Sequence, residues 1–342
     1  MTRSSSSALP PPVTISVVFA EGLLCGVRAR GLSCEPFLAD ARIDPQLLEQ
    51  AGARVTADQY VALFQSLTDR LDDDLLGFLS RPMRRGSFAL VVRSAAGEDT
   101  LERAMRRAAR TFGLLQADVE MELVRAGALA GFTLRFTDAR IAQLVPLHEL
   151  LLRAFWRLFA WLVGGKLPIV RFDFAFPSPP YTGSYGKIFT APLTFDQQQS
   201  GFWFDADQLP RPVRRDKAAV KAFLADARAN VIVPPRGGDQ ISERVRRHLH
   251  HARPAWPDLA ATASALNMAS STLQRRLAAD GISFQALKDA LRRDLAITRL
   301  NTSTVPLAAL ADELGFGDSA AFQRAFKSWT GSAPGAYRRG GA

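Results

Sequence analysis

The sequence predicts an α+β N-terminal domain followed by an all-α domain that contains two helix-turn-helix units. Three observations carry that expectation. A length of 342 residues, at ~150 per domain, gives two domains. The stretch Val231-Ile232-Val233-Pro234-Pro235-Arg236-Gly237-Gly238-Asp239 crowds two prolines and two glycines together and so breaks helix and strand periodicity alike, as a linker does. Strand-like alternation is found before that stretch, whereas after it the pattern is all helix.

Residues 1–12 read as a disordered leader, rich in Ser and Pro. The apolar run from Val13 to Val27 is interrupted by Glu21 and followed by Arg28 and Arg30, so it reads as a first helix and not as a secretory signal. Asp44–Leu48 and Asp58–Leu71 read as helices, the second capped at Ala57-Asp58 with Tyr60, Leu63, Phe64 and Leu67 on one face. Leu101, Ala104, Met105, Ala108 and Phe112 make another helical stripe, backed by a solvated face of Arg103, Arg106, Arg107 and Arg110. Asp118–Arg125 and Gly131–Phe136 flank Ala126-Gly127-Ala128 in the layout of a hairpin. The helix between Pro146 and Gly165 carries His148, Glu149, Arg153 and Arg157; it is too interrupted to cross a bilayer, which takes about 20 mostly apolar residues. Phe172, Phe174 and Phe176 alternate with Arg171, Asp173 and Ala175 as in a half-buried strand ended by Pro177. Leu193–Phe195 and Gly201–Asp205 read as short strands. Residues 13–230 therefore form one α+β domain, 231–239 the linker and 240–342 the helical domain.

Charge narrows the function. Hydrophobic residues make up 47% and charged residues 22%, enough for an ordinary globular core. Forty-three Lys and Arg against 33 Asp and Glu leave a surplus of +10, the mark of a polyanionic partner. Six of those ten charges lie in 240–342, where fourteen basic residues face eight acidic ones; location therefore favours DNA over a membrane surface. Cys25 and Cys34 read as small buried hydrophobes, and so few cysteines suit a reducing compartment, the cytoplasm. His248, His250 and His251 have no acidic or thiol ligand spaced beside them and read as solvated residues, so neither metal nor cofactor is expected. Ser184 and His148 lack a G-x-S-x-G elbow, and the chain is not read as an enzyme.

In the helical domain Asp258 caps a short helix through Leu259, Ala260 and Ala263, and Leu266-Asn267-Met268 forms the turn. Ser270 or Ser271 caps the next helix, Thr272–Ala279, where Leu273 and Leu277 face inward and Ser271, Gln274 and Arg275 outward. In the second unit, Leu307, Leu310 and Leu314 support the turn Gly315-Phe316-Gly317. Asp318 caps a helix that buries Phe322 and Phe326 and exposes Ser319, Ala320, Gln323 and Arg324. A connecting helix from about Ser283 to Leu300 spans roughly 26 Å, the scale needed to hold two helices in successive major grooves ~34 Å apart. Arg reads guanine and Gln reads adenine bidentately, so the repeated Gln-Arg pair is the candidate base reader. Arg292, Arg293, Lys327, Arg338 and Arg339 are the candidate phosphate contacts.

The segments Leu310-Ala311-Asp312-Glu313-Leu314-Gly315-Phe316, Ser319 to Lys327 and Thr330 to Arg339 resemble the C-terminal signature of AraC/XylS-type transcription regulators, over about 258–339. By position the resemblance makes Ser271, Gln274 and Arg275, and in the second unit Ser319, Ala320, Gln323 and Arg324, base-reading residues; Ala320 offers no more than contact with a thymine methyl. The N-terminal region, through His148 to Leu152, Val170 to Pro177, Ala191 to Phe195 and Phe202 to Asp205, resembles the "arabinose-binding"-type sensor domain of some AraC-like proteins. The resemblance implies promoter DNA and RNA polymerase as partners, a small effector and a homodimer, and a role as an activator, with no membrane. The aromatics Phe155, Trp156, Phe159 and Trp161 fit either plain core or an effector pocket, the first three being the pocket candidates. The competing expectation is a DNA-binding module fused to a ligandless dimerisation domain, or to an enzyme domain.

Overall fold

The computed structural model describes residues 11–50, 52–225 and 241–338. The expected leader up to residue 10, the expected linker at 231–239 and Arg339 lie outside those residues.

β1 (Thr14–Ser16) leads into α1 (Val17–Leu23), α2 (Cys25–Ala29) and α3 (Glu35–Asp40). The helix expected at 44–48 is a single 3-10 turn, Pro45–Leu47, capped by the Asp44 carboxylate, which accepts from Gln46 N at 2.9 Å. β2 (Arg54–Thr56) returns antiparallel to β1 with Ile15 opposite Val55. α4 (Ala57–Leu71) starts from Thr56, one residue before the expected cap. Thr56 Oγ1 accepts from Gln59 N at 3.1 Å while Gln59 Oε1 accepts from Thr56 N at 3.0 Å, a reciprocal capping box. α5 (Ser87–Ala96) precedes α6 (Leu101–Leu115), whose expected stripe is buried. The arginine face of α6 is held by acidic neighbours: Arg107 pairs with Glu98 at 2.7 Å and Arg106 with Glu102 at 3.1 Å.

β3 (Val119–Ala126) and β4 (Leu129–Phe136) form the expected hairpin, with Gly127 at φ 60 in its turn. α7 (Ala139–Ala142) and α8 (Val145–Leu162) follow, then β5 (Arg171–Asp173), β6 (Leu193–Thr194), β7 (Ser200–Asp205) and α9 (Lys217–Ala225). The strand expected to run to Phe176 ends at Asp173; Phe174 and Phe176 are buried beyond it. The remaining helices are α10 (Ile241–His251), α11 (Leu259–Ala265), α12 (Ser270–Ala279), α13 (Phe284–Thr302), α14 (Leu307–Glu313) and α15 (Ser319–Thr330).

The contacts divide the chain into two units that do not follow chain order. One, the α+β unit, is Val18–Ala41 with Val61–Pro234. Its sheet runs β3-β4-β7-β5-β6, antiparallel except for the β5–β6 pair. Phe132 and Phe202 meet Phe155 and Phe159 of α8 while Phe172 meets Trp156, the Phe132 and Phe159 rings standing 4.9 Å apart edge to face. On β4 a side chain at Gly131 would come within 2.8 Å of the Trp203 ring across the ladder, so only glycine fits beneath that indole. His148 does not meet Ser184: its Nε2–H donates to the Ala142 carbonyl at 2.9 Å, and its Nδ1 accepts from Ser200 Oγ at 2.7 Å. Burial holds its pKa down at about 4, so it is neutral and ties α8 to β7. Beside it, burial pushes Glu149 up to about 7 while Tyr181 and Tyr185 donate to its carboxyl.

The second, helical unit takes Met1–Val17 and Arg42–Tyr60 together with Pro235–Ala342. Val17, Leu47 and Ala53 thus share a core with Leu249, Leu291 and Phe326, although the sequence reading placed 13–17 and 42–60 in the first domain. The β1–β2 ribbon is pinned to α13 by charge. Asp294, 1% exposed, accepts from Thr14 Oγ1 at 2.5 Å, from Arg246 at 2.7 Å and from Arg293 at 3.1 Å. Arg54 Nε donates to Thr14 Oγ1 at 2.7 Å, and Tyr337 OH accepts from Arg54 N at 3.1 Å. Such short elements carry too little periodicity to reveal which core they join.

Candidate nucleic-acid interface

Both expected helix-turn-helix units are present in the helical unit. The first pairs α11 with α12. Asp258 caps α11, its carboxylate accepting from Ala261 N at 2.8 Å. Asn267, at φ 56, turns the chain, with Met268 N donating to the Ala263 carbonyl at 2.9 Å. The residue at the N-cap of α12 is Ala269, which offers no side-chain bond, so neither Ser270 nor Ser271 caps it as expected. The second unit pairs α14 with α15. Gly315 stands at φ 72 and Phe316 N donates to the Ala311 carbonyl at 2.9 Å, the same closure as in the first turn. Asp318 caps α15 as expected, accepting from Ala321 N at 2.6 Å, and Gly331 ends the helix at φ 75.

The two second helices carry their side chains in matching order. Leu273 and Leu277 in α12, and Phe322 and Phe326 in α15, occupy the fourth and eighth helical positions and are fully buried. Gln274-Arg275 and Gln323-Arg324 occupy the fifth and sixth, and all four are exposed. Ser271 is exposed as well; Ser319 is half-buried and its hydroxyl accepts from Gln323 Nε2 at 3.2 Å. Ala320 is exposed at the second position of α15. α13, nineteen residues long and about 28 Å at ~1.5 Å per residue, joins the two units. Ser283 caps it, its hydroxyl accepting from Ala286 N at 3.1 Å.

The candidate phosphate contacts divide. Lys327 is exposed. Arg292 lies over Trp256 and Phe316 at 4.9 and 5.1 Å and donates to the Gly315 carbonyl at 3.3 Å, so its charge braces the second turn. Arg293 is paired with buried Asp294, and Arg338 donates to the Val305 carbonyl. These three guanidiniums are engaged inside the fold, because α13 and the C-terminal turn aim them at carbonyl and carboxylate oxygens. Trp256 carries no expectation from the sequence. This buried indole donates from Nε1 to the Glu313 carbonyl at 2.9 Å and fixes the end of α14. A lone tryptophan between two prolines in a basic segment was its one available signal.

In the α+β unit a cavity of about 250 Å³ lies between α4, α5, α6, α8 and α9. Of the pocket candidates, Phe155 lines it. Trp156 instead donates to the Leu167 carbonyl at 3.2 Å and packs on Phe172, and Phe159 is sealed among Phe132, Phe155 and Phe202. His250 Nε2 accepts from Arg253 at 3.1 Å. Among the described residues no helix is long and apolar enough to cross a membrane.

Comparison with known proteins matches two domain models to the chain. Residues 31–213 match the model of the arabinose-binding domain of AraC transcription regulators, N-terminal, and residues 262–340 match a helix-turn-helix domain. The chain is 28% identical over 333 residues to an ornithine utilization regulator of Pseudomonas aeruginosa, covering 95% of this chain and 96% of that one. It is 26% identical to the HTH-type transcriptional regulator VirS of Mycobacterium tuberculosis over 91% of this chain and 92% of the other. Among solved structures, the transcriptional regulator CdpR from Pseudomonas aeruginosa matches at 20% identity and a TM-score of 0.34, over 94% of this chain and 98% of that chain.

Proposed function

Since the chain belongs to the AraC family of transcription regulators, we propose that it reads promoter DNA through α12 and α15 and that a small effector in its α+β unit controls that reading. The single observation that carries the DNA half is the Gln-Arg pair standing exposed at the same two positions of both helices. Two exposed side chains that can each bond a base edge bidentately, presented twice, make a reader of two half-sites. Ser271, Gln274 and Arg275 serve the first and Ser319, Gln323 and Arg324 the second, with Lys327 neutralising phosphate. The reading is of an activator, with RNA polymerase and a second copy of the chain as its protein partners, working in the cytoplasm where its DNA lies. No catalytic step is part of it. The family's name makes a pentose one candidate effector, and the name of the ornithine regulator makes a cationic amino acid another.

The test is operator binding by Arg324→Ala and Lys327→Ala across a series of single-base operator changes. Arg324→Ala is expected to cost about 1–3 kcal/mol and to relax base preference at one position; Lys327→Ala is expected to weaken all sites alike and to lower the salt slope by ~1. Unchanged preference in the arginine variant would remove the base-reading role.

A further inference from the structure

We infer that the cavity between α4, α5, α6, α8 and α9 is the effector site and that it takes an uncharged, predominantly apolar molecule, aromatic or short aliphatic, in place of a sugar or an amino acid. The inference rests on the reading of the α+β unit as a sensor and adds to it both the place and the ligand chemistry. Size comes first. About 250 Å³ exceeds the ~150 Å³ of an engineered apolar cavity that binds benzene and approaches the ~300 Å³ at which ordinary ligand sites begin. The walls come second. Phe64, Phe112, Leu150, Leu151 and Phe155 present rings and methyl groups from three different helices.

The polar inventory decides the class. Thr68 and Asp74 are the polar side chains in the described lining, and no Lys, Arg or His is among them. Thr68 Oγ1 donates to the Phe64 carbonyl at 2.9 Å and Asp74 accepts from Phe88 N at 2.9 Å, so two side chains with some remaining accepting capacity are what the described lining offers a polar ligand. A pentose brings several hydroxyls, and each one left without a partner weakens binding about tenfold. An amino acid brings a carboxylate that would meet no cation in the described lining. A ring or short chain asks for none of these partners.

The position suits control as well. Leu224 and Ala225, at the cavity wall, are the last described residues of α9, and the sequence continues from there to α10 and the helices proposed to read DNA. A ligand that touches Leu224 therefore has a direct covalent route of influence.

The experiment uses the full chain, with indole and n-octanol as apolar probes and L-arabinose and L-ornithine as polar ones. Thermal unfolding and affinity for operator DNA are read in parallel. The apolar probes are expected to raise the unfolding midpoint by at least about 2 °C and the polar ones to leave it unmoved. Ala154→Trp, which fills the cavity from α8, is expected to abolish that rise. Ala89→Leu, a milder filling from α5, is expected to reduce it and covers the case in which the tryptophan prevents folding. No rise with either apolar probe, or an equal rise in both filled variants, overturns the site. A rise with L-arabinose or L-ornithine that filling abolishes overturns the ligand class. If the filled variants block the rise but operator affinity never responds to a bound probe, the cavity assignment stands and effector control falls. If operator affinity responds to a compound equally in wild type and filled variants, effector control stands and the cavity assignment falls.

Discussion

The two helix-turn-helix units share a plan and differ in how firmly the rest of the helical unit holds them. In the second, the turn is exposed but braced: Trp256 bonds the Glu313 carbonyl, Arg292 bonds the Gly315 carbonyl, and Arg299 pairs with Glu313 at 3.1 Å. Asp318 then caps the reading helix. In the first, the turn rests on an asparagine at φ 56, and the reading helix begins at an uncapped Ala269. What is repeated is the reading face and its buried anchors; what is not repeated is the bracing. The second unit therefore has more bonds holding its turn and its second helix than the first, and more local stability to lose when one of them is removed.

Alanine at the two matching turn positions should break the comparison most sharply. A methyl at Gly315 would come within 2.7 Å of Trp256 Cδ1, on a backbone at φ 72 that disfavours any side chain. Gly315→Ala is expected to lower the local stability of α15 by about 3 kcal/mol. Asn267→Ala, in an exposed turn, is expected to cost about 1 kcal/mol or less in α12. Amide hydrogen exchange resolves the two helices separately, and equal losses would show that the bracing around Gly315 has no energetic weight.

The caps give the next effect. Asp318→Ala should lose about 1 kcal/mol, while Ala269→Asp should gain about 0.5–1 kcal/mol, because Ala269 already has the extended backbone of an N-cap, at φ −71 and ψ 147. Exchange protection of the first turns of α12 and α15 measures both, and no gain at Ala269 would mean that the first unit is not short of a cap. The smallest effect is expected from Asn267→Gly, a few tenths of a kcal/mol of added stability from relief of the left-handed strain. A loss there would mean that the asparagine side chain holds the turn.

These differences mark what could be read from the chain and what could not. Asp258, Asp318 and the buried pairs Leu273/Leu277 and Phe322/Phe326 act on residues within one or two helical turns, so spacing alone located them. The hairpin at Gly127 was legible for the same reason. The sequence shows the charge of Arg292 but not the carbonyl it faces, since Gly315 lies 23 residues away. Phe155, Trp156 and Phe159 share one helical pattern, yet only Phe155 reaches the cavity. Which aromatic lines a void depends on neighbours from other helices, and no local period records them.

The bond between Thr14 and Asp294 also sets a timetable for synthesis. Its partners are 280 residues apart, so at ~5–20 residues per second the ribbon leaves the ribosome roughly 15–55 s before the helix that receives it. For that interval β1 and β2 have no α13 to dock on, and the helical unit stays incomplete until residues 284–302 have been made. A chain interrupted before α13 therefore leaves Thr14 without the Asp294 carboxylate that the folded ribbon docks on.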